Sequence, residues 1–242
     1  MHSDSSIDTN IPGALSEYVS LENYSSGLNV GDSGLITHND ASPKVSLGSE
    51  TPALSGDLGT DWVVQSGSFV RNGNAYGYDY YNSLLPNKID LDTVPDLVQG
   101  SCNEGPPSAP EGVYWKSGNL TIDCAGGLVL PGGSYVFLIE NNLYIDSTIK
   151  LASDNDFVAF IVGGDIRVRA SVDGGSSTDA DVQGMYIADQ QFIIRPDSDP
   201  LFLEGIFIAW DDGGTGRGFR LRRDGGDPNE VTETFIFRPE LL

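Results

Sequence analysis

From Gly112 onward the sequence returns to the same pattern at a nearly fixed distance. The segments Val113–Asp123, Val136–Asp146 and Ala159–Arg169 each begin 23 residues after the last. A fourth, Gly184–Ile194, follows 25 residues on, and a fifth runs from Gly205 to Arg222 around a Gly/Asp-rich insertion. Each segment holds two short runs of alternating apolar residues, joined by a small polar corner. A period near 23 residues suits one turn of a β-solenoid. A single turn cannot bury its own inward face, whereas stacked turns bury a continuous column and pair their backbones in parallel at about 4.8 Å. The alignment predicts one inward row of Leu120, Leu143 and Ile166, and a second of Ile122, Ile145 and Val168. At the corner, Asn119, Asn142 and Asp165 become equivalent; such residues tolerate turn geometry and hydrogen-bond to neighbouring backbones, so their first role is structural. An antiparallel sandwich would account for the strands but not for the constant period.

The rest of the chain fits an all-β reading. In 242 residues there are 30 glycines and 13 prolines, many corners for a chain with no Ala/Leu/Glu/Lys-rich stretch of helical length. The expected fold is a parallel β-helix, one continuous domain. Residues 1–111 form an irregular, aromatic-rich N-terminal cap with the first irregular coils, and residues 112–242 form the regular coils. The aromatic run Tyr76-Gly77-Tyr78-Asp79-Tyr80-Tyr81 reads as a packed lid over an end of the core rather than a sugar-stacking platform. Tyr81 to Val98 is the best place for one short helix, and residues 101–111 form a proline-rich loop.

Charge and cysteines bound the setting. A formal charge of -22 repels nucleic-acid backbones and anionic lipid, so neither is an expected partner. No apolar run approaches the roughly 20 residues of a membrane helix. Cys102 and Cys124 are the only cysteines, outside any CxxC motif and far in sequence from His2 and His38. They read as a disulfide, which places the chain outside the reducing cytoplasm, at the cell surface or beyond it. The opening residues have neither the basic region nor the apolar core of a secretion signal, so the chain reads as an excised or mature portion of an exported protein.

Catalytic signatures are weak. There is no Gly-x-Ser-x-Gly elbow, no His-Glu-x-x-His motif and no phosphate-binding loop in a strand–helix context. Paired carboxylates suited to glycoside hydrolysis are abundant, and a lyase could draw on Asp146, Asp165, Arg167 and Arg169. In so acidic a chain, however, chance pairs are expected, and the reading leans away from an enzyme with no cofactor implied. Calcium is the one ion the loops suggest, through Asp154 with Asp156 and Asp197 with Asp199. Neither loop matches an EF-hand or the Gly-Gly-x-Gly-x-Asp repeat, and solvated turn aspartates are the plainer reading.

One charge asymmetry stands out. Eight of the thirteen basic residues lie after residue 160, and all eight are arginines. Aligning Ile166-Arg-Val-Arg169 with Phe219-Arg-Leu-Arg222 puts Arg167 with Arg220 and Arg169 with Arg222, all outward by alternation. Tyr144 and Asp146 fall in the same two rows. The candidate ligand-binding set is therefore Tyr144, Arg167, Arg169, Arg220 and Arg222, gripping acidic groups of an anionic glycan. The structural reading is a ladder of Arg–carboxylate pairs.

The segments Asn119–Ile122, Phe160–Ile166, Val182–Asp189 and Phe235–Leu242, together with His2–Pro12 and Trp62, resemble a family of uncharacterised bacterial surface proteins. In such proteins a similar block often ends a longer exported chain. The resemblance implies export and a solenoid fold, and it supplies no catalytic residues. A weaker similarity, in Gly112-Val-Tyr114 and the coil spacing, is to ice-binding β-solenoids. The flat Thr-x-Thr array needed to match ice is missing, so that activity is rejected. The expected function is a non-catalytic secreted or cell-surface domain, structural or adhesive; the alternative is a glycan-binding or glycan-cleaving β-helix.

Overall fold

The computed structural model describes residues 76–94, 110–130, 132–153, 155–172, 179–210, 218–223 and 233–236 with their surroundings, and the backbone of the further strands named below. The strands in chain order are β1 (His2–Ser3), β2 (Ser6–Thr9), β3 (Val19–Asn23), β4 (Leu35–His38), β5 (Val45–Ser46), β6 (Ala53–Leu54) and β7 (Val63–Ser66). After helix α1 (Tyr78–Leu84) come β8 (Ile89–Asp90), β9 (Gln99–Gly100), β10 (Gly112–Lys116), β11 (Leu120–Cys124), β12 (Leu128–Leu130) and β13 (Ser134–Ile139). The chain continues with β14 (Leu143–Ile145), β15 (Ile149–Leu151), β16 (Phe157–Val162), β17 (Ile166–Val168), β18 (Val182–Ala188) and β19 (Phe192–Ile194). It ends with β20 (Leu201–Ala209), β21 (Arg217–Leu221) and β22 (Glu233–Phe237).

These strands form a parallel β-solenoid. One sheet runs β8-β10-β13-β16-β18-β20-β22-β3-β6, and a second runs β9-β11-β14-β17-β19-β21-β2-β5. A shorter third face pairs β12 with β15, and β15 reaches β18 through Ile149 and Val182. The expected rows are present. Leu120 pairs with Leu143 and Leu143 with Ile166, while Ile122 pairs with Ile145 and Ile145 with Val168. All six face the core at 2% exposure or less.

A column of rings fills the other side of the core. Tyr114, Phe137, Phe160, Tyr186 and Phe207 stack at centroid distances of 5.4, 4.8, 5.2 and 5.3 Å, with interplanar angles from 23° down to 1°. Equal register on successive coils places each ring over the last, so the stack follows from the period. Within β18 and β20, Gly184 and Gly205 pair in register with φ of 130° and 142°. A Cβ on Gly205 would stand 1.9 Å from the Gly184 carbonyl oxygen, which only glycine permits.

The corner ladder is also in place. The Asn142 N–H donates to Asn119 Oδ1 at 3.0 Å, the Asp165 N–H to Asn142 Oδ1 at 2.8 Å, and the Gln191 N–H to Asp165 Oδ1 at 3.1 Å. Each corner side chain thus satisfies an amide of the next coil that turning has removed from the sheets.

The order of stacking is not the order of the chain. β8 and β9 stack on β10 and β11, ahead of the regular coils. The strands of residues 2–66, however, lie at the opposite end. β2 pairs with β21, β3 with β22, and β1 with the last residues of β20. β22 and β1 therefore share one level, so strands from both ends of the sequence complete a single coil. β4 and β5 then stack on β1 and β2, and β6 and β7 close this end. β7 and β8 thus lie toward opposite ends of the stack, about eight levels or on the order of 40 Å apart at ~4.8 Å each, and α1 falls between them in the sequence.

The helix differs from its expected place in two ways. It occupies Tyr78–Leu84 rather than starting at Tyr81, and a 3-10 turn follows at Leu91–Thr93. Leu85 caps it in extended conformation because Pro86 disfavours helical backbone in the residue before it. Nor does the tyrosine run cover an end of the core. Tyr78 packs sideways onto the outward face of the first sheet, in a cluster with Leu138, Ile161 and Ile187. Tyr76 remains 60% exposed. Among the described residues, no helix is long and apolar enough to cross a membrane.

Candidate functional site

Two surfaces carry chemistry-bearing side chains. The first lies on the outward face of the second sheet, where the arginine strip was expected. Tyr144 stands opposite Arg167 in register, and Asp146 reaches Arg169 as an ion pair at 2.9 Å. Arg167 turns back along its own coil, donating from Nε at 3.2 Å and Nη2 at 2.7 Å to Asp165 Oδ2. Both guanidinium groups flank the Tyr144 ring, Arg169 at 4.9 Å and Arg167 at 5.8 Å from its centroid. Cations at such distances are attracted by the ring's quadrupole.

The geometry joins Tyr144, Arg167 and Arg169 but not the full strip. Arg167 pairs in register with Ile193, and Ile193 with Arg220, so a buried isoleucine interrupts the row. Arg220 and Arg222 are half-buried on the following coil. Of the two Arg–carboxylate pairs, Arg169–Asp146 crosses between coils, whereas Arg167–Asp165 lies within one. The Asp146 carboxyl is raised above its ordinary range, because burial disfavours its charge more than Arg169 restores it, and Asp123 adds repulsion. Arg169 is 48% exposed on its side chain, so its pair is worth little in water.

Replacing Arg167 and Arg169 together by alanine should therefore cost only about 1–2 kcal/mol, summing two weak pairs and two contacts to Tyr144. Urea unfolding measures this. A strip built to hold anionic glycans would instead lose retention on a sulfated matrix with its unfolding midpoint unchanged.

A fifth arginine in this region, Arg223, behaves differently, in a way its sequence context does not signal. Arg223 is 1% exposed. It donates from Nη1 to the Asp199 carbonyl and from Nη2 to the Val172 carbonyl at 2.7 Å, while its own N–H donates to Glu233 Oε1 at 2.7 Å. It is a tie between coils, with a buried carboxylate beside it.

Among the described residues, no three acidic, histidine or cysteine side chains converge. Asp154 lies outside the described residues. Asp156 accepts the Gly133 N–H at 2.9 Å, and Asp197 accepts the N–H of its own neighbour Ser198 at 2.7 Å. Asp199 is exposed and contributes its backbone carbonyl to Arg223. Cys124 is buried, and its register sets it opposite Gly100, two residues before Cys102 in the sequence. Cys102 lies outside the described residues.

The second surface is a groove of about 410 Å3 between α1 and the coils beside it, lined by Tyr78, Asp79, Asn82, Lys88, Trp115 and Glu140. Tyr78 is fixed at both ends. Its N–H donates to the Asp189 carboxylate at 3.1 Å, and its hydroxyl accepts from Trp115 Nε1 at 3.0 Å. Burial, then the nearby Glu140 and Asp79 charges, push the Tyr78 phenol up, partly offset by the Trp115 hydrogen bond. Glu140 Oε2 accepts from Ser117 Oγ at 3.0 Å and from the Gly118 N–H at 3.3 Å. Lys88 is held by the carbonyl and the side-chain oxygen of Asn82.

Sequence reasoning singled out Tyr78 within the tyrosine run but not this groove. Comparison with protein-family models, curated proteins and solved structures finds no match to the chain.

Proposed function

We propose that this chain is a non-catalytic β-solenoid module of an exported bacterial surface protein, with a structural or adhesive role. The observation that carries the reading is where the outward polar groups go. Asn119, Asn142 and Asp165 bond coil to coil, and Arg167 and Arg169 pair with Asp165 and Asp146 around Tyr144. A surface whose charges and amides are engaged with one another stiffens a rod and presents few groups for chemistry. Export is supported by the two cysteines. No cysteine among the described residues is free, and Cys124 pairs in register with Gly100, two residues before Cys102 in the sequence. A Cys102–Cys124 bond would close a loop of this size with a stabilisation of roughly 3 kcal/mol in the chain-entropy model.

Two measurements on the producing cells test this. A membrane-impermeant biotin reagent should label the protein on intact cells. Mass spectrometry after alkylation should find Cys102 and Cys124 linked. Protein confined to the cytoplasmic fraction, with both thiols alkylated, would overturn the exported reading.

A further inference from the structure

The groove beside α1 has a composition that the solenoid body does not need. A parallel stack is complete without a helix on its flank, and the Tyr78, Leu138, Ile161 and Ile187 contacts suffice to dock one. The docked helix and the adjoining coils nevertheless set an aromatic surface among hydrogen-bonding groups of both kinds. Trp115 is half-buried, its indole N–H engaged by Tyr78, which fixes the ring's orientation. Asp79 and Glu140 are exposed carboxylates, each with acceptor sites beyond those used within the chain. The Asn82 side-chain oxygen accepts from Lys88, which leaves its amide hydrogens to donate outward.

We propose that this groove is a binding site for a neutral pyranoside glycan, with Trp115 as the apolar surface and Asp79, Asn82 and Glu140 as its hydrogen-bonding partners. A sugar ring has an apolar C–H face and a rim of hydroxyls. The first suits an indole held at a fixed angle, and the second suits carboxylates, which accept from hydroxyls more strongly than neutral groups do. Neutral rather than anionic sugar follows from charge. Two carboxylates line the groove, the only cation among its described lining residues, Lys88, is turned onto Asn82, and the whole chain carries -22. A volume of about 410 Å3 lies within the range of small-molecule sites, roughly 300–1,000 Å3. The inference gives the adhesive role a ligand class and rests on that reading.

The test is titration of the whole chain with cellohexaose, chitohexaose, xylohexaose, mannohexaose and maltohexaose, and with heparin and polygalacturonate oligosaccharides, by calorimetry at low and high salt. At least one neutral oligosaccharide should bind, with affinity indifferent to salt. Asp79→Ala, at an exposed position, should weaken binding about tenfold without moving the melting temperature. Trp115→Phe, which keeps an aromatic ring but loses the indole and its tie to Tyr78, should weaken it as well. The proposal falls if no neutral oligosaccharide binds, if only the anionic ones bind and are released by salt, or if both variants bind as tightly as the parent chain. Surface labelling of intact cells is independent of these outcomes, so a failed titration leaves the export reading standing and a failed labelling leaves the groove's affinity standing.

Discussion

Ile166→Asp is expected to abolish soluble folding. Ile166 is 0% exposed, with Leu143 on one neighbouring coil and Phe192 on the other at the same register. A carboxylate there meets apolar side chains from both coils, and among the described residues no cation sits in its row to pair with it. Burying an unpaired charge costs at least about 4 kcal/mol even after relaxation, against a total stability of roughly 5–15 kcal/mol for a domain. The charge would otherwise be relieved by opening the coil, which breaks the pairing of β14, β17 and β19 together. Tyr144→Asp, one residue from the same row but on the outward face, is the control and should remain soluble. The soluble fraction after expression and the far-ultraviolet melting curve decide the matter. A soluble Ile166→Asp chain that melts cooperatively near the parent temperature would mean that the coil register is wrong.

The residues of this column were legible in the sequence because side-chain direction and coil length are both periodic. Once segments begin every 23 residues, Leu120, Leu143 and Ile166 must share a row, and so must Asn119, Asn142 and Asp165. What lacks a period was not legible. Strands β1 to β7 are only two to five residues long and pair through backbone groups that every sequence possesses. Nothing in residues 1–66 marks them as neighbours of β20, β21 and β22 rather than of β10. The period fixes that coils stack; it does not fix that they stack in chain order.

The same distinction explains the candidate surfaces. Tyr144, Arg167 and Arg169 were found together because they sit at equivalent outward positions. The strip failed at Ile193 because the alignment that linked Arg167 to Arg220 passed over the coil Phe192–Ile194, whose outward position is apolar. The groove escaped notice for a different reason. The contact of Trp115 with Tyr78 spans 37 residues and joins a helix to a coil, a relation with no period in the sequence. Arg223 escaped because a buried arginine and a surface arginine look alike in sequence; only the carbonyls of Asp199 and Val172 distinguish them.

Phe160→Ala should be among the most destabilising truncations in the molecule. The ring is 0% exposed at the middle of the aromatic column, 4.8 Å from Phe137 at 10° and 5.2 Å from Tyr186 at 12°. Removing it deletes the transfer energy of a buried ring and leaves a cavity between two rings that cannot close on each other. Their positions are fixed by the pairing of β13 with β16 and of β16 with β18. Tyr186 is further anchored by its hydroxyl, which donates to the Gln183 carbonyl at 2.9 Å. Phenylalanine-to-alanine changes at such sites cost about 3–5 kcal/mol. The two lost ring contacts argue for the upper part of that range. For a chain of this length each kcal/mol lowers the melting temperature by ~2–4 °C, so a fall on the order of 10–15 °C is expected. Phe160→Leu fills much of the cavity and should fall by less than half as much. Differential scanning calorimetry of the three chains measures both differences. If the alanine variant melts within the error of the parent, the stack contributes no cohesion between coils, and stability must reside in the Leu143 and Ile145 rows alone.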